Sequence, residues 1–201
     1  MAKLLVSLLA VLGLGFAAVE VATTRTLDMQ LEGEVDLDMY NKVLGTLKYA
    51  KAVHANKLVI DIVSPGGNAL LGAGMSRDLR KASDEGLVVE IHAHDLCASM
   101  CTFLLGSGTP GYRYIESHTV YLVHPMQVGS MFGPPECMDH VKDTKDVSDK
   151  LSDMLIKELH RQYQQFSGKD KATVDGWLTC GQEQVEGGEL AVKLGLADKV
   201  E

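Results

Sequence analysis

Three short segments of this 201-residue chain carry residue types that together could perform acyl transfer. In Cys97-Ala98-Ser99-Met100-Cys101-Thr102, a serine stands where a strand-like run gives way to a short apolar helix. A helix N-terminus collects unsatisfied backbone N–H groups and the positive end of the dipole, so negative charge is favoured there. The N–H of Met100 is then well placed to stabilise an oxyanion beside Ser99. Ser64-Pro65-Gly66-Gly67 also follows a strand-like run. Two glycines permit backbone geometry closed to other residues and close approach by a ligand, so the N–H groups of Gly66 and Gly67 can point at an oxyanion too. Leu122-Val123-His124-Pro125 puts an imidazole at the end of a third run, where it could take the proton from Ser99. Each feature has an ordinary reading when taken alone. Ser99 would be a helix N-cap, S-P-G-G a turn, and His124 a structural histidine. The chemical reading rests on the three together, in this order.

The elements around these segments have to bring them to one place. Residues 26–31 alternate apolar and polar, as a half-buried strand does, and lead into Gly33. Leu37, Tyr40, Val43, Leu44, Leu47 and Ala50 recur near helical spacing over residues 36–54. Residues 57–63 (KLVIDIV) and 87–93 (LVVEIHA) read as strands covered on both faces. A helix is expected over 70–84, ending near Gly86, a short one over 98–105 with Ser99 at its start, and a strand over 119–123 that runs into His124. Strands alternating with helices predict an α/β fold: a parallel sheet with crossover helices on its faces. Such sheets collect functional groups at the carboxyl ends of their strands. Residues 138–166 form a long amphipathic helical stretch, with Leu151, Leu155, Leu159 and Tyr163 on one stripe.

From residue 58 to residue 127 the chain resembles the proteolytic subunit of the Clp protease. The family pattern of a strand, S-P-G-G, a helix, A-S-M, a G-x-R segment and an H-P strand end recurs here. It is carried by Ser64-Pro65-Gly66-Gly67, Ala98-Ser99-Met100, Gly111-Tyr112-Arg113 and His124-Pro125, and the interval from Ser99 to His124 matches as well. The similarity extends more weakly over residues 31–33 and Gly195-Leu196-Ala197-Asp198. The C-A-S-x-C-T form further resembles a group of predicted exported Clp-like proteins of bacteria. The resemblance implies the ClpP/crotonase fold of stacked βαβ units, with a long helix after the histidine strand. It implies a serine endopeptidase acting on peptides or unfolded proteins, with Ser99 as nucleophile, His124 as base, and oxyanion N–H groups from Gly67 and Met100. The family's aspartate precedes an aromatic-Leu-Ser/Thr segment, which points to Asp175 in Asp175-Gly176-Trp177-Leu178-Thr179. Counting back from Gly195-Leu196-Ala197-Asp198 lands on Glu183 instead; Asp175 is preferred and both stay open. No cofactor is required, and the family's rings imply a homo-oligomer in which residues 138–166 mediate contacts between rings.

The first 18 residues have the order of a secretory signal: Lys3, an apolar run from Leu4 to Leu14, then Gly15, Ala17 and Ala18. The expected organisation is therefore a signal peptide or membrane anchor over residues 1–22 and one peptidase domain over 23–201. Cleavage would leave the protein periplasmic or secreted; retention would tie it to a membrane. ATP is absent there, so an exported member acts without an ATP-driven unfoldase or with another partner. The net charge of −8 and the absence of any dense Lys/Arg cluster argue against nucleic-acid binding. Cys97, Cys101, Cys137 and Cys180 permit three disulfide pairings in an exported chain. Cys97 and Cys101, read as sharing a helix face, could join His92 and His94 on zinc, but small buried cysteines and strand histidines are the plainer account. Two other classes stay open: a signal-peptide-peptidase-like enzyme with a lysine base, and a non-catalytic scaffold or binding protein on the same fold.

Overall fold

Caps and burial periodicity account for the elements before the first site residue. The computed structural model describes residues 25–124, 127–128, 136–137 and 184–201. Strand β1 is Thr26–Glu32. Helix α1, Leu37–Ala52, starts where the Asp36 carboxylate accepts the Met39 N–H at 2.8 Å, and it buries Met39, Val43 and Ala50. Strand β2, Lys57–Ser64, precedes α2, Ala69–Asp84. Asn68 caps α2 by accepting the N–H groups of Leu70 and Leu71 at 3.0 and 3.1 Å. Strand β3 is Val88–Ala98, and α3 is Met100–Gly106, every residue of which is buried. Then follow β4 (Arg113–Ile115), β5 (Val120–Val123), β6 (Gln127–Val128), β7 (Glu136–Cys137), β8 (Gln184–Glu186), α4 (Gly188–Leu194) and β9 (Lys199–Val200).

The expected parallel sheet is present. β1, β2 and β3 run parallel, with Met29 beside Ile60 and Ile60 beside Ile91. β3 then serves two neighbours. Its first half pairs with β4, Ile91 to Arg113, and its last residues pair with β5, Ala98 to Leu122. The fork coincides with Asp95, at φ +46°, and with a register shift between Ile62 and Ser64. Further pairing joins β4 to β9 in parallel and β5 to β8 antiparallel; β6 and β7 form a separate antiparallel pair.

Three differences from the sequence reading matter for the site. The strands β2 and β3 are not covered equally on both faces. Leu58, Ile60, Ile62, Val89, Ile91 and Ala93 point into the core, while Asp61, Glu90, His92 and His94 stay half-buried on the other face. Full burial of each large core side chain stabilises the fold by about 1.5–3 kcal/mol, so this face holds the layers together. The valines between the charged positions disguised that alternation. Second, β3 continues five residues past Ala93, so Cys97 belongs to the strand and does not share a helix face with Cys101. Third, β4, β8, β9 and α4 are too short for periodicity to reveal. The 1–22 segment, the 138–166 helix, Asp175, Glu183 and Cys180 lie outside the described residues.

Candidate active site at the carboxyl ends of β2, β3 and β5

Ser99 occupies the single residue between β3 and α3, at φ +54° and ψ −120°. These angles resemble the first central position of a type II′ turn, which glycine dominates; a side chain there costs about 1–3 kcal/mol and persists only where its surroundings impose it. Several contacts do so. The Ser99 N–H donates to the Leu122 carbonyl of β5 at 2.9 Å. The Ser99 carbonyl accepts the Thr102 N–H at 3.0 Å and the Thr102 hydroxyl at 2.7 Å. Although Ser99 holds the N-cap position, its side chain makes no capping bond. The ordinary explanation of a serine at a helix start therefore does not apply.

The S-P-G-G segment lies directly against this turn. A Cβ added at Gly66 would come within 2.5 Å of Ser99 Cβ, 2.8 Å of the Ala98 carbonyl oxygen and 2.9 Å of the Met100 nitrogen. Gly66 also has φ +92°, so both space and conformation demand glycine. Gly67, at φ +149°, is packed as tightly on the other side, where an added Cβ would meet Val35 oxygen at 2.6 Å. Val35 fixes the segment by donating to the Gly66 carbonyl at 2.8 Å and accepting the Asn68 N–H at 2.8 Å. The buried Ser64 hydroxyl accepts the Gly66 N–H at 3.1 Å. Val35 did not stand out in the sequence, because nothing in a single valine signals such a backbone clasp, and Ser64 was legible as part of S-P-G-G but not as the acceptor of the Gly66 N–H.

Met100 begins α3 and is buried; its side chain packs over Gly72 of α2, where an added Cβ would lie 2.5 Å from Met100 Cε. This anchors the helix start from below. His124 follows the last residue of β5 and is half-buried. Because Ala98 is in register with Leu122, Ser99 and His124 leave neighbouring strands at the same end of the sheet.

Cys97 and Cys101 form a disulfide, with their Cα atoms 5.1 Å apart. It joins the end of β3 to the first turn of α3 on either side of Ser99, and both residues are fully buried. The zinc cluster weighed for these cysteines with His92 and His94 is thereby excluded, since the sulfurs bond to each other. The histidines are engaged by carboxylates instead. His92 Nδ1 lies 2.7 Å from Glu201 and its Nε2 3.2 Å from Glu90. His94 Nε2 lies 3.0 Å from Asp61 and its Nδ1 3.0 Å from Glu116. Burial opposes charge on both rings, but the paired carboxylates outweigh it and raise both pKa values.

The G-x-R segment and the C-terminal G-L-A-D segment are partners. The Arg113 guanidinium donates to Asp198 at 2.9 and 2.6 Å and to the Gly195 carbonyl at 2.9 Å. The Gly111 and Arg113 N–H groups bind the same carboxylate at 2.7 and 3.1 Å. Burial disfavours the charge on Asp198, and these donors overcome it, holding its pKa below the usual carboxylate value. Their role is to lock β4 to the C-terminal segment.

Comparison with known proteins matches this arrangement to one family. The chain is 26% identical to the ATP-dependent Clp protease proteolytic subunit 2 of Bifidobacterium longum over 156 residues, covering 77% of this chain and 72% of that protein. It is 24% identical to the ATP-dependent Clp protease proteolytic subunit of Chlorella vulgaris over 168 residues, covering 83% and 77%. The fold superposes on the crystal structure of the ClpP protease catalytic domain from Plasmodium falciparum with a TM-score of 0.67 at 18% identity, over 87% of this chain and 84% of that one. The family model described as Clp protease matches residues 18–201, which takes in the glycine clasp, the Ser99 turn, His124 and the Arg113–Asp198 lock alike, and the chain belongs to the Clp protease family.

Proposed function

We propose that the protein is a serine endopeptidase that hydrolyses peptides or unfolded proteins. The observation that carries this reading is the Ser99 turn: a serine at φ +54°, not capping its helix, with the Gly66 backbone pressed against it. Ser99 Oγ attacks the substrate carbonyl as His124 takes its proton. The N–H groups of Gly67 and Met100 receive the oxyanion, with Gly66 setting the distance between the two backbones. His124 then protonates the departing amine and activates the water that hydrolyses the acyl-enzyme. Asp175 orients the imidazole, with Glu183 the other carboxylate to be tested. No cofactor enters the mechanism. The family's name supports a protease, and its ring-forming habit supports a homo-oligomer here. The N-terminal sequence supports export, to the periplasm or beyond, with membrane association if the segment is retained.

The deciding experiment is labelling of the purified full chain with a fluorophosphonate probe, beside Ser99→Ala, His124→Ala, Asp175→Ala and Glu183→Ala. Labelling of wild type and its loss in the first two variants is expected. Failure of wild type to label would favour a non-catalytic scaffold. Labelling that survives His124→Ala but is abolished by a lysine substitution would favour a lysine base.

A further inference from the structure

We propose that the Cys97–Cys101 disulfide is a positioning device for Ser99, and that the site works at full rate only with this bond closed. The inference rests on the peptidase reading above and concerns how its nucleophile is held. The bonded residues are four apart in sequence, and Ser99 is the middle residue of the loop they close. One end is the strand that pairs with β5; the other is the helix whose first N–H belongs to Met100. Ser99 adopts a backbone conformation that a side chain disfavours, so the turn relaxes if its two ends can separate or rotate. Hydrogen bonds to Leu122 and from Thr102 resist this, but each ties Ser99 to one element only. Beside the main chain that runs through Ser99 itself, the disulfide gives β3 and α3 a second covalent tie, one that bypasses the serine. Relaxation would move the hydroxyl and the Met100 N–H together, away from the glycine clasp.

Both cysteines are 0% exposed, so the bond is shielded from reductants in the folded protein. It is a clamp set during folding, which requires an oxidising compartment or an oxidant, and not a fast sensor. Opening it takes a dithiol. One reductant thiolate attacks a cysteine sulfur to form a mixed disulfide, the second displaces it, and two protein thiols and one oxidised reductant result.

The test compares fluorophosphonate labelling rates and peptide hydrolysis in full-length protein. The forms are oxidised wild type, wild type unfolded and refolded with dithiothreitol, the latter re-oxidised with glutathione disulfide, and two bond-free variants. Cys97→Ser/Cys101→Ser keeps the size of the thiols; Cys97→Ala/Cys101→Val keeps an apolar core if the first fails to fold. Unbridged forms that retain their circular dichroism are expected to label about 10- to 100-fold more slowly, the scale on which small misplacements act. The loss is expected in kcat more than in KM, and re-oxidation should restore wild type but neither variant. Bond-free protein that labels at the wild-type rate overturns the clamp. Oxidised wild type that does not label at all overturns the peptidase reading instead.

Discussion

Gly66 and Ser99 are in such close contact that a methyl group on residue 66 would sit 2.5 Å from Ser99 Cβ. Flexible side-chain ends cannot relieve that overlap, because the Ala98 oxygen and the Met100 nitrogen flank the same spot at 2.8 and 2.9 Å. Gly66→Ala is therefore expected to destabilise the fold by about 1–3 kcal/mol, from overpacking and from its unfavourable φ. Labelling of Ser99 should fall by about 100-fold even where the variant stays folded, since the clasp and the turn move apart. Urea denaturation and probe kinetics on the same sample check both numbers.

The backbone of Ser99 makes an opposite trade. Ser99→Gly removes the side chain that its φ of +54° disfavours. It is expected to raise stability by about 1 kcal/mol over Ser99→Ala, which keeps the strain, while both variants lose all labelling. Denaturation midpoints of the two inactive proteins decide this; equal stability would mean the turn is unstrained.

Arg113 and Asp198 carry a stability prediction with a pH signature. Arg113→Met leaves a carboxylate partly buried without its main donors, and should cost about 3–5 kcal/mol. The folded pKa of Asp198 is depressed, so its contribution is present above the unfolded value of about 3.9 and is lost as pH falls through the lower folded value. Acid unfolding followed by far-UV circular dichroism should be shallower for Asp198→Asn than for wild type.

His92 and His94 have the reverse sign. Their folded pKa values are raised, so their contribution is complete below the unfolded value of about 6.5 and fades as pH rises through the folded values. The facing groups are Glu90 and Glu201 for His92, Asp61 and Glu116 for His94, with the Tyr114 ring stacked on His92 at 4.7 Å. His118 shares Glu116, at 3.1 Å, and sits 3.9 Å from Asp95. The melting temperature is expected to decline from pH 6 to pH 9 in wild type, and to change less in a His92→Gln/His94→Gln variant.

Much of the frame was legible before any coordinates. Runs such as KLVIDIV and the heptad-like spacing of Val43 and Ala50 announce strands and a helix, because local burial patterns repeat along the chain. The order S-P-G-G, A-S-M and H-P likewise placed Ser64–Gly67, Ser99 and His124 at strand ends. The faces of the sheet were misread because Val59 and Val63 share the half-buried face of β2 with Lys57 and Asp61. The short strands β4 and β9 were invisible because two or three residues carry no periodicity.

Residue types alone determined that a hydroxyl, an imidazole and a glycine pair fall at the ends of successive strands, since that depends on local propensity and spacing. Which cysteines bond, which carboxylate meets Arg113, and how tightly Gly66 meets Ser99 were decided only in three dimensions. Those relationships join segments up to 85 residues apart, as Arg113 and Asp198 do, and no local pattern reports on a partner so distant. They arise when the fork in β3 and the register of β5 bring the segments together, and packing then admits a single arrangement.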